Sequence, residues 1–160
     1  MIFVTAGTQL PFDRLIKTID EIASEFPDTH FVAQALESDY KAKNIEVLKF
    51  ISPTDFNSYI DNAELIISHA GMGTIISALV KQKPIIVMPR LTKYNEHRNE
   101  HQLGTSKKMD SLGYVDVVYD EQELIIKFRH MWPKNLKPRN RIGEAASEEI
   151  INSINNFIKY

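Results

Sequence analysis

Cysteine is absent from these 160 residues. That removes disulfide frameworks, thiolate nucleophiles and cysteine-held metals, and it is compatible with a reducing compartment. An excess of one charge is lacking too: 19 Lys and Arg stand against 21 Asp and Glu, a net charge of −2. So balanced a chain makes no global electrostatic case for nucleic acid. No apolar run approaches the roughly 20 residues that a membrane-crossing helix needs. The N-terminal MIFVTAGTQLPF has neither the basic start nor the long apolar core of a signal peptide. Internal repeats and low-complexity tracts are missing. So are a phosphate-binding P-loop, a G-x-G-x-x-G dinucleotide fingerprint and a D-x-D cluster at a strand end.

What remains is ordinary globular composition, 43% apolar and 25% charged, long enough for one domain with a real core. Apolar runs of strand type fall at Ile2 to Thr5, His30 to Ala35, Ile45 to Ile51, Leu65 to Ser68, Pro84 to Pro89 and Val115 to Val118. Helical spacing covers Phe12 to Phe26, Phe56 to Asn62 (after a Ser52-Pro53 start), Thr74 to Lys81, Asn99 to Leu112, Glu121 to Met131 and Asn140 to Tyr160. Strands alternating with helices predict an α/β fold, a mostly parallel sheet with helices on both faces. Lys127 to Arg141 gathers seven Lys, Arg and His around two prolines and reads as a basic surface loop.

In open parallel sheets, ligands bind beyond the carboxyl ends of the strands. Three segments there carry suitable residues. After the first strand, Gly7 can bring a backbone N–H close to a phosphate, and Thr8 adds a hydroxyl. After the fourth, His69-Ala70-Gly71-Met72-Gly73 leads into a helix near Thr74. Two glycines beside a helix N-terminus suit an anion, and His69 could donate to a phosphate or sugar oxygen. After the fifth strand comes a run of eight polar residues, Asn95 to Gln102. His97 and His101 there read H-R-N-E-H, not the zinc-protease H-E-x-x-H, and no third ligand is evident, so no metal is expected. Mixed donors and acceptors suit the hydroxyls of a sugar better.

Together, "FVTAGTQLPFDRLI", "ISHAGMGTIISALVKQKPIIVMPR" and "NEHRNEHQLGTSKKM" resemble the nucleotide-sugar-binding half of GT-B glycosyltransferases. The nearest resemblance is to short catalytic subunits that work with a membrane-anchored partner. These occur in the eukaryotic UDP-GlcNAc transferase of dolichol-linked oligosaccharide synthesis and in bacterial capsule and exopolysaccharide synthesis. The C-terminal half of the lipid II-forming GlcNAc transferase is a longer relative. The resemblance implies a Rossmann-like domain over 1–160 that binds a UDP-sugar without a metal or other cofactor. It puts Gly7 and Thr8 at the diphosphate and Phe50 or Ile51 at the uracil, with His69, Gly71, Met72, Gly73 and Thr74 along the nucleotide. Asn99, His101 and Gln102 would face the donor sugar. Ser77 stands where the peptidoglycan relative has a ribose-binding glutamate, and Gln34 lacks the Q-x-G sequence common in related subunits.

The implied activity is hexose transfer, with inversion, to a lipid-linked acceptor. The implied place is cytoplasmic, peripheral to the membrane through an anchored acceptor-binding subunit. His69 and His101 are candidates for the general base on pKa grounds, and the partner is a third source. The C-terminal helix at about 140–160 carries an apolar stripe of Ile150, Ile151, Ile154, Phe157 and Ile158 that could dock the partner or pack on its own sheet. Two rivals stand beside this reading: a non-catalytic nucleotide-sugar-binding or scaffolding module, and a sugar-nucleotide epimerase.

Overall fold

The computed structural model describes residues 1–36, 40–139 and 142. The predicted C-terminal helix therefore lies outside the described residues. Six strands are present: β1 (Ile2–Thr5), β2 (Phe31–Gln34), β3 (Glu46–Leu48), β4 (Leu65–His69), β5 (Ile85–Met88) and β6 (Asp116–Val117). They alternate with helices α1 (Asp13–Glu25), α2 (Pro53–Asn62), α3 (Met72–Val80), α4 (His101–Ser111) and α5 (Glu121–Met131). A 3-10 turn at Thr92–Tyr94 precedes α4.

The strands form one sheet in the order β3-β2-β1-β4-β5-β6, and every neighbouring pair is parallel. The chain winds outward twice from the middle, first through β1 to β3, then through β4 to β6. Where the two directions part, between β1 and β4, the loops diverge and leave a crevice at the carboxyl ends.

Strand alternation divides the core in two. Ile2, Val4, Phe31 and Ala33 face α1 and α5, where Leu15, Ile19 and Phe128 meet them. Phe3, Ile66, Ile85 and Val87 face the other way, against Ile60 of α2 and Ile75 and Leu79 of α3. Phe3 stacks on Tyr59 at 5.2 Å and meets Phe56 edge-on at 5.6 Å. Each such fully buried side chain contributes about 1.5–3 kcal/mol over its exposed state. Because both faces are covered, β1, β2, β4 and β5 read as continuous apolar runs rather than alternating ones.

Local signals set the helix starts. The Ser52 side chain accepts the Asp55 N–H at 3.1 Å and Pro53 occupies the first turn, so α2 begins three residues before the predicted Phe56. Helix α3 starts at Met72, two residues ahead of the predicted Thr74, which places Met72 and Gly73 inside its first turn. The basic stretch divides: Lys127, Arg129 and His130 lie on α5, which has the predicted bounds, and the exposed Lys134 and Lys137 follow it outside helix and strand. Lys127 and Arg139 both pair with Asp116, and Arg129 pairs with Glu25, so these charges are spent on intramolecular pairs.

Candidate functional site

A cleft of about 770 Å³ opens at the switch point. Thr5, Gly7, Thr8 and Gln9 line it from the end of β1, and Gln34 from the end of β2. Phe50, Ile51, Phe56 and Asn57 come from the β3–α2 connection and α2. His69, Gly71, Gly73, Thr74 and Ser77 come from β4 and α3, and Arg90 and Gln102 close the far side. Of the expected residues, Gly7, Thr8, Phe50, Ile51, His69, Gly71, Gly73, Thr74 and Gln102 are thus brought together. Met72, 43% exposed, stays outside the lining. Asn99 and His101 are exposed and also outside it, with Asn99 Oδ1 accepting the His101 N–H at 3.2 Å.

The start of α3 is built for an acceptor. Gly71 is its N-cap and no side chain caps the helix. The N–H groups of Met72, Gly73 and Thr74 are its first-turn donors, with the positive end of the helix dipole behind them. At Gly73 an added Cβ would meet nothing within 4 Å, so the space before these amides is open.

Gly71 has a different task. A Cβ there would stand 2.3 Å from His69 Nε2, and one on Gly7 would stand 2.7 Å from His69 Cε1. The two glycines make room for the imidazole between them. Gly7 also needs its positive φ of +76°. Its N–H, expected to serve a phosphate, donates to Thr5 Oγ1 at 3.2 Å here. Gln34 completes the brace: its Oε1 accepts from Thr5 Oγ1 at 2.7 Å and its Nε2 donates to Gly7 O at 3.3 Å. Thr8 is exposed and has no hydrogen-bond partner among the described residues.

His69 Nδ1 lies 3.3 Å from Thr5 O, and a carbonyl only accepts, so Nδ1 carries the proton. Burial, then the positive charge of Arg90, push the ring down to about 4, against the Thr5 bond that favours the charged form. At neutral pH His69 is therefore neutral, and its Nε2 offers a lone pair. It suits a ligand hydroxyl, not the donation to phosphate expected of it, and it is a weak general base. The low value also sets a pH dependence. The unfolded chain takes up this proton near pH 6.5, whereas the folded ring resists until about 4. Stability is full above 6.5 and falls as pH drops to 4, by on the order of 3 kcal/mol. Urea unfolding from pH 7 to 4 should show a steeper fall in wild type than in His69→Asn. Parallel curves would remove the assigned protonation state.

The polar run Asn95 to Gln102 is exposed over most of its length, and several of its side chains bond to nearby groups of the protein. Glu96 takes both Arg14 and the Leu91 N–H, Glu100 takes Thr92, and His97 bonds to Asn99. Only Gln102 reaches the cleft, where its Oε1 accepts the Arg90 N–H at 3.1 Å. Of the residues expected to face the sugar, Gln102 lines the cleft, while Asn99 and His101 stand exposed beside it. Sequence reasoning missed Arg90, Gln34, Thr5 and Asn57. The visible signal for Arg90 was a cation closing the buried PIIVMP strand. Arg90 is 2% exposed and burial pulls it down to about 10, still charged at neutral pH. Arg90 is the only Lys, Arg, Asp or Glu in the lining among the described residues. The lining has no carboxylate, and no cluster of three metal-ligating side chains occurs among the described residues.

A six-stranded parallel sheet with this order and a cleft at its switch point is Rossmann-like, the architecture shared by GT-B glycosyltransferases and sugar-nucleotide epimerases. More narrowly, the chain belongs to the glycosyltransferase family 28 C-terminal domain, whose pattern matches residues 1–157. Among its relatives is the UDP-N-acetylglucosamine transferase subunit ALG13 of Candida albicans, 38% identical over 85 residues, covering 53% of this chain and 27% of the relative. The ALG13 subunit of Saccharomyces cerevisiae is 26% identical over 179 residues, covering 86% of this chain and 87% of the relative. The chain spans from 27% to 54% of the length of the Candida albicans and Cryptococcus neoformans relatives. The solution structure of ALG13 superposes with a TM-score of 0.61 at 22% identity, over 96% of this chain and 93% of that one, a likeness of fold.

Proposed function

We propose that this chain is the donor-binding subunit of a UDP-sugar transferase that passes a hexose, with inversion, to a lipid-linked acceptor. The observation that carries the reading is the cleft itself: an uncapped helix N-terminus and one buried arginine, with no carboxylate in the described lining. Such a surface favours an anion. As the glycosidic bond breaks, negative charge grows on the departing diphosphate. Fixed N–H donors at α3 meet that charge without reorganising, which lowers the barrier to leaving. The exposed Phe50 and the neighbouring Ile51 lie on the apolar side of the cleft and suit a flat base.

With His69 neutral and weakly basic, the proton of the acceptor hydroxyl goes to a base on the partner lobe. The relatives' designation as subunits supports such a partner. A membrane-anchored partner would account for a lipid-linked substrate, since no described helix is long and apolar enough to cross a membrane. The missing carboxylate equally favours a second reading, a nucleotide-sugar-binding module that does no chemistry. UDP release in the presence of partner and lipid acceptor supports transfer; binding without release supports the module.

In this reading helix and arginine replace a cation, so EDTA should leave both UDP affinity and turnover essentially unchanged. Turnover lost in EDTA and restored by Mg²⁺ or Mn²⁺ would contradict it.

A further inference from the structure

The residue that holds the β1 loop comes from the opposite side of the cleft. Arg90 Nη2 donates to Ala6 O at 2.7 Å and also to Leu10 O. These two carbonyls bracket Gly7, Thr8 and Gln9, the part of the loop that lines the cleft. The guanidinium lies 5.0 Å from the Phe12 ring centroid. Its Nε is buried and has no hydrogen-bond partner, and no carboxylate pairs with it directly among the described residues. The charge of Glu96 favours the guanidinium without bonding it, and a buried cation with no directly paired anion is costly. An apolar side chain would fill the same space on Phe12 at less cost, so the charge itself asks for a use.

Arg90 is in turn held from behind. Its neighbours Pro89 and Leu91 are fastened by one ion pair, Arg14–Glu96. Arg14 Nη2 donates to Pro89 O at 3.2 Å, and the Leu91 N–H donates to Glu96 Oε2 at 3.0 Å. The pair is bidentate, at 2.7 and 2.8 Å, and both side chains are about nine-tenths buried. Neither residue lines the cleft. Their hydrogen bonds fix the backbone on either side of Arg90, while Gln102 fixes its own N–H.

We propose, on the donor-cleft reading above, that Arg90 is a positioning residue. It sets the Ala6–Leu10 loop for the diphosphate of the donor and places a positive charge behind it, and the Arg14–Glu96 pair sets Arg90. The nucleoside end of the cleft, at Phe50 and Ile51, lies on other elements and does not depend on this arrangement.

The test compares UDP with uridine by NMR titration, since only UDP carries the diphosphate. Arg90→Met should weaken UDP by about tenfold or more, the worth of a charge-assisted contact, and leave uridine within about twofold. Arg90→Lys should recover most of the loss, because one ammonium can donate to both carbonyls. Glu96→Gln, remote from the cleft, should weaken UDP by about threefold with uridine unmoved. Equal losses of UDP and uridine would overturn the proposal, since they would show general support of the fold. Wild-type UDP affinity in both Arg90→Met and Glu96→Gln would also overturn it. If Arg90→Met does not fold, the same ratio in Glu96→Gln decides. A wild-type chain that binds no UDP removes the donor reading itself; one that binds UDP while the variants match it removes only this assignment.

Discussion

Gly73→Val is expected to weaken UDP binding on the order of a hundredfold while leaving the fold intact. The two effects separate because of where a side chain at this position would go. An added Cβ meets no atom within 4 Å, so the protein interior is not disturbed. Position 73 lies in the first turn of α3, with no positive φ to demand glycine, and valine is a better helix residue than glycine by a few tenths of a kcal/mol. Stability should therefore hold or rise slightly. The two methyl groups would stand in the cleft over the N–H groups of Gly73 and Thr74. A phosphate could no longer approach, and those donors would lose an acceptor that water replaces poorly in a covered site. The loss should be on the order of a hundredfold, or about 3 kcal/mol. Calorimetry with UDP, alongside thermal melting, measures both quantities. Equal UDP affinity in a folded variant would put the diphosphate elsewhere.

Two residues earlier the opposite result is expected. Gly71→Ala adds one methyl group, but it arrives 2.3 Å from His69 Nε2. The ring has little freedom to move, because Nδ1 is bonded to Thr5 O and the Gly7 backbone passes close enough that a Cβ there would also clash with it. The imidazole must leave its bond or the β4–α3 turn must shift. Overpacking of this type costs about 1–3 kcal/mol. We expect the upper half of that range, read as a lower urea midpoint with an unchanged slope. UDP affinity should fall as well, since the start of α3 moves with the turn. An alanine variant as stable as wild type would show that His69 has a second place to go.

The contrast between these glycines shows what could and could not be read in the sequence. The β4–α3 segment announced a turn before a helix start, and the structure has one. That Gly71 serves an imidazole while Gly73 serves open space depends on Gly7, brought from another strand. The sheet was legible because its central strands are short apolar runs buried on both faces. The alternation of strands and helices implied a parallel sheet, while the order β3-β2-β1-β4-β5-β6 is seen only in the structure. Element ends were displaced by two or three residues, as at Ser52, whose side chain caps α2, and at Gly71, where α3 starts with no side-chain cap. The polar run from Asn95 to Gln102 commits part of its hydrogen-bonding capacity to the protein itself. Glu96 pairs with Arg14, 82 positions away, while Glu100 takes the nearby Thr92. Arg90 and Ala6 are 84 apart. No local pattern signals a contact of that span. Within the basic cluster near the C-terminus, Lys127, Arg129 and Arg139 pair with Asp116 and Glu25 from other elements.

The most direct test of the donor-cleft account is a titration of the ¹⁵N-labelled chain with UDP in the presence of EDTA, followed by amide shifts. The account predicts saturable, one-to-one changes at Thr8, Gly73 and Thr74 and at Ile51 on the base side, with α5 undisturbed. Absence of saturable binding, or shifts that map away from the switch-point cleft, would contradict it.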